Sequence, residues 1–158
     1  LPAVSVTAVD LSYRALQVAQ HNAKRHEVDG RVAFINSDWL GGISTETKYD
    51  LVVANPPYIA KEIIDRPFGE TAESLQPEVG SFEPRLALDG GVRGVQSICS
   101  IAEHIGEAIN PGGLFFMEIG ADQKEEVTDI FMKTGQFYAI EIHDDYAGLP
   151  RLFQARRQ

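Results

Sequence analysis

Asparagine, two prolines and tyrosine stand together at Asn55-Pro56-Pro57-Tyr58, directly after an apolar run. The side-chain oxygen of Asn55 and the carbonyl of Pro56 both accept hydrogen bonds, and a proline pair is too stiff to let that carbonyl swing away. Two fixed acceptors can hold the N–H bonds of a planar amide or amine and aim its nitrogen lone pair at an electrophile. Tyr58 can stack on such a planar group. The four residues indicate chemistry by positioning, although a proline turn capped by asparagine is the simpler alternative.

Two acidic residues follow earlier strand-like runs. Asp10 ends a β-branched run and precedes a helical pattern, a place where a carboxylate can take both hydroxyls of a ribose. Asp38 follows the next such run, where a carboxylate can accept from an adenine amino group while Trp39 packs on the base. Taken alone, Asp10 is more often a helix cap and Asp38 is a weak signal. With Asn55 they lie at or just after the carboxyl ends of strands, where parallel sheets bind ligands.

The elements that must position these residues alternate between strand and helix patterns. Runs rich in apolar and β-branched residues predict strands at 4–9, 31–36, 49–54, 114–119, 138–143 and 152–155. Helical spacing predicts helices after the Ser12 cap, across 98–109 with a stop at 110–113, and across 123–134. Poor periodicity over 59–94 predicts a substrate-side insertion. The alternation predicts one α/β domain over residues 1–158 with a mostly parallel sheet.

The composition narrows the partners and the compartment. A formal charge of -9 would repel a phosphate backbone, so nucleic acid is disfavoured as a partner. Cys99 is the only cysteine, which excludes multi-cysteine metal sites and favours a reducing compartment, so we expect the cytoplasm. The histidines lack metal-ligand spacing, and no metal site is predicted. No apolar run approaches the roughly 20 residues that cross a bilayer, so no membrane association is expected.

Five segments form a series along nearly the whole chain: 8–12, 36–39, 50–59, 82–88 and 114–120. This series resembles the HemK group, the protein-(glutamine-N5) methyltransferases that modify peptide chain release factors. The Asn55-Pro56-Pro57-Tyr58 motif is shared with other nitrogen methyltransferases, including adenine-N6 DNA enzymes. The Phe82-Glu83-Pro84 run and the tail from Asp144 to Arg151 are more particular to this group.

The resemblance implies a class I S-adenosylmethionine-dependent methyltransferase sheet, Rossmann-like and mostly parallel, with an antiparallel C-terminal strand. It implies S-adenosylmethionine as the methyl donor and a glutamine side-chain amide nitrogen as the acceptor, on a class I peptide chain release factor. Two alternatives stay open. One is a nucleic-acid adenine or guanine N-methyltransferase, and the other is a non-catalytic fragment that only binds a partner.

The resemblance also assigns residues to sites. The cofactor-binding set comprises Asp10 and Leu11 at the ribose, Asp38 and Trp39 at the adenine, and Asn55. The catalytic and substrate-binding set comprises Asn55, Pro56, Pro57 and Tyr58, with Asn55 and Pro56 gripping the acceptor amide.

Glu83 and Pro84 belong, by the same resemblance, to the insertion that closes over the acceptor, although Glu83 could instead pair with Arg85. Glu118 and the tail from His143 to Arg151 could serve the fold alone. The family's first strand and glycine-rich loop belong immediately before Leu1, so we expect both to be missing from this chain.

Overall fold

A strand, a helix and a second strand begin the fold. The computed structural model describes residues 4–66 and 82–158, and the chain divides into two units, residues 1–47 and 48–158. The expectation of one domain over 1–158 stays a prediction. Of the predicted insertion at 59–94, residues 67–81 lie outside the described part.

In the first unit, β1 (Val6–Asp10) pairs in parallel with β2 (Val32–Asn36), and α1 (Tyr13–Arg25) connects them together with a short 3₁₀ turn at Asp29–Arg31. The helix begins where predicted, because the Ser12 side chain accepts a hydrogen bond from the Ala15 backbone N–H at 3.3 Å. Its buried side is small. Leu16 and Ala23 are the residues of this helix that are buried.

The second unit contains a four-stranded sheet in the order β3-β4-β6-β5. Its strands are β3 (Tyr49–Ala54), β4 (Ile109–Glu118), β5 (Phe137–Asp144) and β6 (Pro150–Arg157). β3 and β4 run parallel, whereas β6 is antiparallel to both β4 and β5. The predicted antiparallel C-terminal strand is therefore confirmed. Among the described residues of this unit, the helices are α2 (Lys61–Ile64), α3 (Arg85–Leu88), α4 (Gln96–His104) and α5 (Lys124–Thr134), with 3₁₀ turns at Val92–Gly94 and Ile105–Ala108.

The predicted end of the helix before β4 is wrong. The α-helix ends at His104 rather than at Ile109, and Ile109 already belongs to β4, opposite Tyr49. The register then shifts, because Leu51 pairs with Leu114 and leaves residues 110–113 as an irregular stretch of the strand. Proline and glycine here interrupt a strand, since a proline lacks the N–H that the ladder needs.

Four phenylalanine rings form the centre of the second unit's core. Phe115 on β4 and Phe153 on β6 face Phe131 on α5, and all three are fully buried. The Phe131 and Phe153 ring centroids are 4.4 Å apart, and Phe137 joins the cluster 5.6 Å from Phe131. This cluster fixes α5 against the sheet, so the position of the first residues of α5 is also fixed.

Strand edges remain open in each sheet. Among the described residues, β1 pairs only with β2 and β3 pairs only with β4, so each is an edge strand of its own sheet. In the stretches 4–66 and 82–158, no helix combines the length and apolarity that crossing a bilayer requires.

Candidate active site

The turn after β3 places Asn55 and Pro56 differently. Asn55 is exposed, and its side chain has no hydrogen-bond partner within the described part of the chain. Pro56 is fully buried, and no described residue donates a hydrogen bond to its carbonyl. The two oxygen acceptors identified from the sequence thus keep their hydrogen-bonding capacity.

The segment that follows the turn is held by backbone bonds to the end of the insertion. The Ile59 N–H donates to the Leu88 carbonyl at 3.1 Å, and the Gly90 N–H donates to the Ile59 carbonyl at 2.9 Å. The Lys61 N–H donates to the Gly91 carbonyl at 3.0 Å. Because these bonds lie on both sides of Ile59, the chain direction after the turn is fixed.

Gln123 ties this turn to two other segments. It is the one buried polar side chain found in residues 4–66 and 82–158, with 4% of its surface exposed. Its amide nitrogen lies within hydrogen-bonding distance of three backbone carbonyl oxygens, those of Tyr58 at 3.0 Å, Arg93 at 3.3 Å and Gly94 at 3.2 Å. Its side-chain oxygen accepts from the Gly120 N–H at 2.9 Å. Sequence reasoning missed this residue, although it stands four and eight positions before the buried Val127 and Phe131 on one helical face.

Two glycines let the insertion approach the turn. A Cβ on Gly94, whose φ is +71°, would lie 2.1 Å from the Tyr58 carbonyl oxygen. A Cβ on Gly90 would lie 2.8 Å from the Pro57 carbonyl oxygen and 2.6 Å from the Gly94 carbonyl oxygen. Only glycine permits these contacts, so the close approach explains why glycine stands at both positions.

The Tyr58 hydroxyl takes part in a polar group at the end of β4. It donates to Glu118 Oε1 at 2.7 Å and accepts from Arg151 at 3.3 Å. The Arg151 guanidinium carbon also lies 5.9 Å from the centroid of the Tyr58 ring. Burial of the ring raises the pKa of Tyr58, and the hydrogen bond to the Glu118 carboxylate raises this pKa further. Tyr58 is therefore protonated at neutral pH and fixed in position, whereas its predicted stacking on an acceptor stays a prediction.

Arg151 connects this group to the tail. Its guanidinium donates to the Ile119 carbonyl at 3.2 Å and lies 3.5 Å from the Asp145 carboxylate. Asp145 in turn accepts from the Ala147 and Leu149 backbone N–H groups at 2.8 and 3.1 Å. Arg151 thus joins the turn of the β5–β6 hairpin to the turn after β3. Glu118 and the tail therefore stabilise the position of Tyr58.

A cavity of about 200 Å³ lies beside Tyr58. Its lining includes Tyr58, Ile63, Arg93, Asp122, Gln123 and Arg151. Asn55 is not part of this lining. Tyr58 therefore faces the cavity, whereas the Asn55 amide faces solvent.

Glu83 and Pro84 lie immediately before α3, and both are exposed. The predicted alternative for Glu83, a salt bridge with Arg85, is wrong. Arg85 pairs with Asp65 and, at 3.5 Å, with Asp89. Among the described residues Glu83 has no partner, and its place over an acceptor stays a prediction.

In the first unit, Asp10 closes a small turn at the end of β1. Its Oδ1 accepts from the Ser12 N–H at 2.7 Å, while Oδ2 has no partner among the described residues. The Asn36 side-chain amide donates to the carbonyls of Asp10 and Leu11 at 3.0 and 2.8 Å, and Leu11 is exposed. Asn36 thus holds the two strand ends together. The free Oδ2 of Asp10 can therefore accept a hydrogen bond from a hydroxyl group.

Asp38 and Trp39 follow β2 in a loop fixed by Ser37. The Ser37 hydroxyl accepts from the Gly42 N–H at 2.6 Å, and a Cβ on Gly42 would lie 2.9 Å from Ser37 Cβ. Asp38 is exposed, and no described side chain or N–H pairs with its carboxylate. Trp39 adopts φ 46°, which is uncommon for a residue other than glycine. A free carboxylate beside an indole fits the recognition of an amino-substituted base.

The predicted site residues thus fall into two sets, each within its own unit. The first set comprises Asp10, the last residue of β1, together with Leu11, Asp38 and Trp39 on the loops after β1 and β2. The second set lies on the turn after β3 and comprises Asn55, Pro56, Pro57 and Tyr58. Glu118, Gln123 and Arg151, from more distant parts of the chain, contact this turn through Tyr58.

Comparison with known proteins shows which proteins the chain resembles in sequence. Residues 1–78 match the methyltransferase small domain. The chain is 42% identical over 134 residues to the release factor glutamine methyltransferase of Caulobacter vibrioides, covering 85% of this chain and 43% of that protein. It is 38% identical over 157 residues to the protein of the same name from Koribacter versatilis, covering 99% of this chain and 51% of that one.

By sequence, the chain is a relative of the release factor glutamine methyltransferases. The resemblance stated from its motifs is confirmed. The chain spans about half the length of these curated relatives.

Solved structures support the fold of this methyltransferase relative. A methyltransferase from Pyrococcus furiosus aligns with a TM-score of 0.64 at 16% identity, covering 97% of this chain and 62% of that one. An N-methyltransferase from Bradyrhizobium japonicum in complex with S-adenosyl-L-homocysteine aligns with a TM-score of 0.56 at 15% identity, covering 97% and 66%. The predicted class I methyltransferase fold is confirmed.

Proposed function

We propose that this chain contributes to an S-adenosylmethionine-dependent methyltransferase that methylates a glutamine side-chain amide nitrogen on a protein. The proposed protein is a class I peptide chain release factor, as the motif resemblance implies, and this is supported by curated relatives named release factor glutamine methyltransferase. The observation that carries the proposal is the exposed, unpartnered Asn55 amide after β3, followed by the rigid carbonyl of Pro56.

The chemistry of an amide explains why such a turn is needed. An amide nitrogen is a weak nucleophile, because its lone pair is delocalised into its carbonyl. Asn55 Oδ1 and the Pro56 carbonyl are two acceptors for its two N–H bonds, so together they orient the lone pair towards a methyl group. Holding the attacking nitrogen and the methyl carbon at roughly 3–3.5 Å from each other lowers much of the activation barrier for methyl transfer. For this reason the reaction at the turn needs neither a metal nor a strong base.

The residues of the first unit fit the methyl donor, S-adenosylmethionine. In this proposal the free Asp10 oxygen accepts from a ribose hydroxyl, with Leu11 beside it. Asp38 accepts from the adenine amino group and Trp39 packs on the base. S-Adenosylmethionine supplies an electrophilic methyl group on a sulfonium, and the chain's residues bind and orient the donor and the acceptor.

The acceptor is tested by substituting Asn55. We expect Asn55→Ala to lower kcat for methyl transfer to a release factor by about 100-fold, because one of the two acceptors is lost, while S-adenosylmethionine affinity changes little. Transfer of a labelled methyl group and calorimetric titration measure the two quantities. Asn22→Ala is the matched control, since Asn22 is another exposed asparagine, on α1. Unchanged kcat in Asn55→Ala would refute the role of Asn55.

Two substrates offered side by side separate the alternatives. We expect labelled methyl groups on the release factor and none on adenine-containing DNA, because the net charge of -9 opposes a phosphate backbone. Label on the DNA alone would favour a nucleic-acid methyltransferase. Label on neither, with a folded protein, would favour a non-catalytic binding fragment. The cytoplasmic location expected from the single cysteine stays a prediction.

A further inference from the structure

Gln123 joins three segments that are distant in sequence. They are the turn after β3 through Tyr58, the insertion through Arg93 and Gly94, and the end of β4 through Gly120. A primary amide has two N–H hydrogens, so the three carbonyls around Nε2 share two donors. Because Gln123 is 4% exposed, water cannot readily replace these bonds, and loss of the bond to the buried Gly94 carbonyl would leave a buried oxygen unsatisfied.

Few torsions separate the Tyr58 carbonyl from Asn55. Pro56 and Pro57 each have φ fixed by their rings, so the backbone between the two groups has little freedom. An interaction that fixes the Tyr58 carbonyl is therefore transmitted to the preceding carbonyl of Pro56 and to Asn55. The opposite side of Gln123 is fixed as well, because the phenylalanine cluster holds α5 against the sheet.

We propose that Gln123 is a positioning residue for the acceptor-amide site, acting through the Tyr58 carbonyl on the Asn55-Pro56 acceptors. This inference rests on the proposed function, whose acceptor site is the same turn. Gln123 touches neither substrate nor cofactor in this scheme. Its amide sets the direction of the turn, and its side-chain oxygen sets the distance to the end of β4.

Two substitutions separate the donor from the rest of the side chain. Gln123→Glu keeps the shape but places a carboxylate oxygen against three carbonyl oxygens, and Gln123→Met keeps most of the volume without any hydrogen bond. We expect both to lower kcat for methyl transfer by about 10- to 100-fold, as displacement of reacting groups by about 1 Å does. We expect KM for S-adenosylmethionine to stay within about twofold, because the turn and not the donor site is disturbed.

Val127→Ala is the matched control. Val127 lies one turn further along α5, is fully buried, and is not a hydrogen-bond partner of the turn. Its truncation destabilises the core by leaving a cavity, so the thermal midpoint falls. We expect kcat per folded molecule to remain within about twofold of the unsubstituted protein, which separates lost stability from lost positioning.

Hydrogen exchange gives a measurement that does not depend on activity. The Ile59 and Gly90 amides are bonded across the insertion, and we expect them to exchange at least about tenfold faster in Gln123→Met but not in Val127→Ala. A Gln123→Met protein that keeps kcat and the protection of both amides would overturn the inference. If Gln123→Met does not fold, Gln123→Glu decides by the same two readouts.

The proposed function can fail independently. If the unsubstituted protein transfers no methyl group to a release factor, the proposed function fails. The exchange of Ile59 and Gly90 still decides whether Gln123 holds the turn. If protection is lost while kcat for an active protein is unchanged, Gln123 is a structural residue only and the inference is wrong.

Discussion

Tyr58 shows how one side chain combines burial, charge and position. Its hydroxyl donates to Glu118 while Arg151 donates to it, and burial together with the Glu118 bond raises its pKa above 10.0. A tyrosine with a raised pKa stabilises the fold fully below the pKa of the unfolded chain. This contribution is lost as the pH rises through the pKa of the folded state.

Replacing Glu118 tests this electrostatic coupling. We expect Glu118→Gln to lower the pKa of Tyr58, because the hydrogen bond to the carboxylate and its negative charge, which both raise this pKa, are removed. Absorbance titration of each protein against the same protein carrying Tyr58→Phe isolates one of the five tyrosines. Glu141→Gln is the control, since Glu141 is an exposed carboxylate near His143 and should leave Tyr58 unchanged. An unchanged titration of Tyr58 in Glu118→Gln would contradict the coupling.

The sequence could identify those site residues whose placement depends on their neighbours in the chain. Asp10 ends β1 and Asn55 directly follows β3, so their exposure at strand ends could be predicted from neighbouring residues. The contacts of Tyr58 with Glu118 and Arg151 span 60 and 93 residues, and no local pattern encodes them. Gln123 carried one usable signal, a polar residue on an otherwise buried helical face.

At the scale of elements, most strand bounds were predicted to within about two residues, because β-branched runs end at polar residues, whereas β4 begins at Ile109 and not at Leu114. The third strand, Tyr49–Ala54, was predicted at its observed bounds. The predicted helix before β4 runs to Ile109, because apolar spacing cannot distinguish a buried helix end from the first residue of a buried strand. Pairing of Tyr49 with Ile109, which decides the matter, is a long-range contact.

The insertion approaches the turn after β3 closely at Gly94, and adding one methyl group to Gly94 tests this contact. We expect Gly94→Ala to destabilise the protein by about 2–4 kcal/mol, since it adds a clash with the Tyr58 carbonyl to the strain of a positive φ. Urea unfolding measures the change. Gly135→Ala is the control, because Gly135 has φ +63° and nothing within 4 Å of its would-be Cβ. It should lose only about 1–2 kcal/mol, and equal losses at both positions would show that the clash is relieved.

At the scale of the whole molecule, the two units differ in how much apolar surface they bury. Among the described residues of the first unit, the buried hydrophobic side chains are Leu16 and Ala23, whereas the second unit buries a phenylalanine cluster. Since apolar burial is the main favourable term in folding, we expect the first unit to open at a lower free energy than the second. The order of opening is therefore set by core size.

Two matched amides measure that order. Leu16 N–H donates to the Ser12 carbonyl at 3.1 Å, and Val127 N–H donates to the Gln123 carbonyl at 2.9 Å, so both lie in the first bonded turn of a helix. We expect Leu16 to exchange at least about tenfold faster than Val127 after correction for intrinsic rates, because fewer buried contacts oppose its opening. Phe131→Ala should accelerate Val127 and leave Leu16 nearly unchanged, since Phe131 belongs to the second core alone. Equal protection of the two amides would mean that both units unfold together, and core size would then not decide the order of opening.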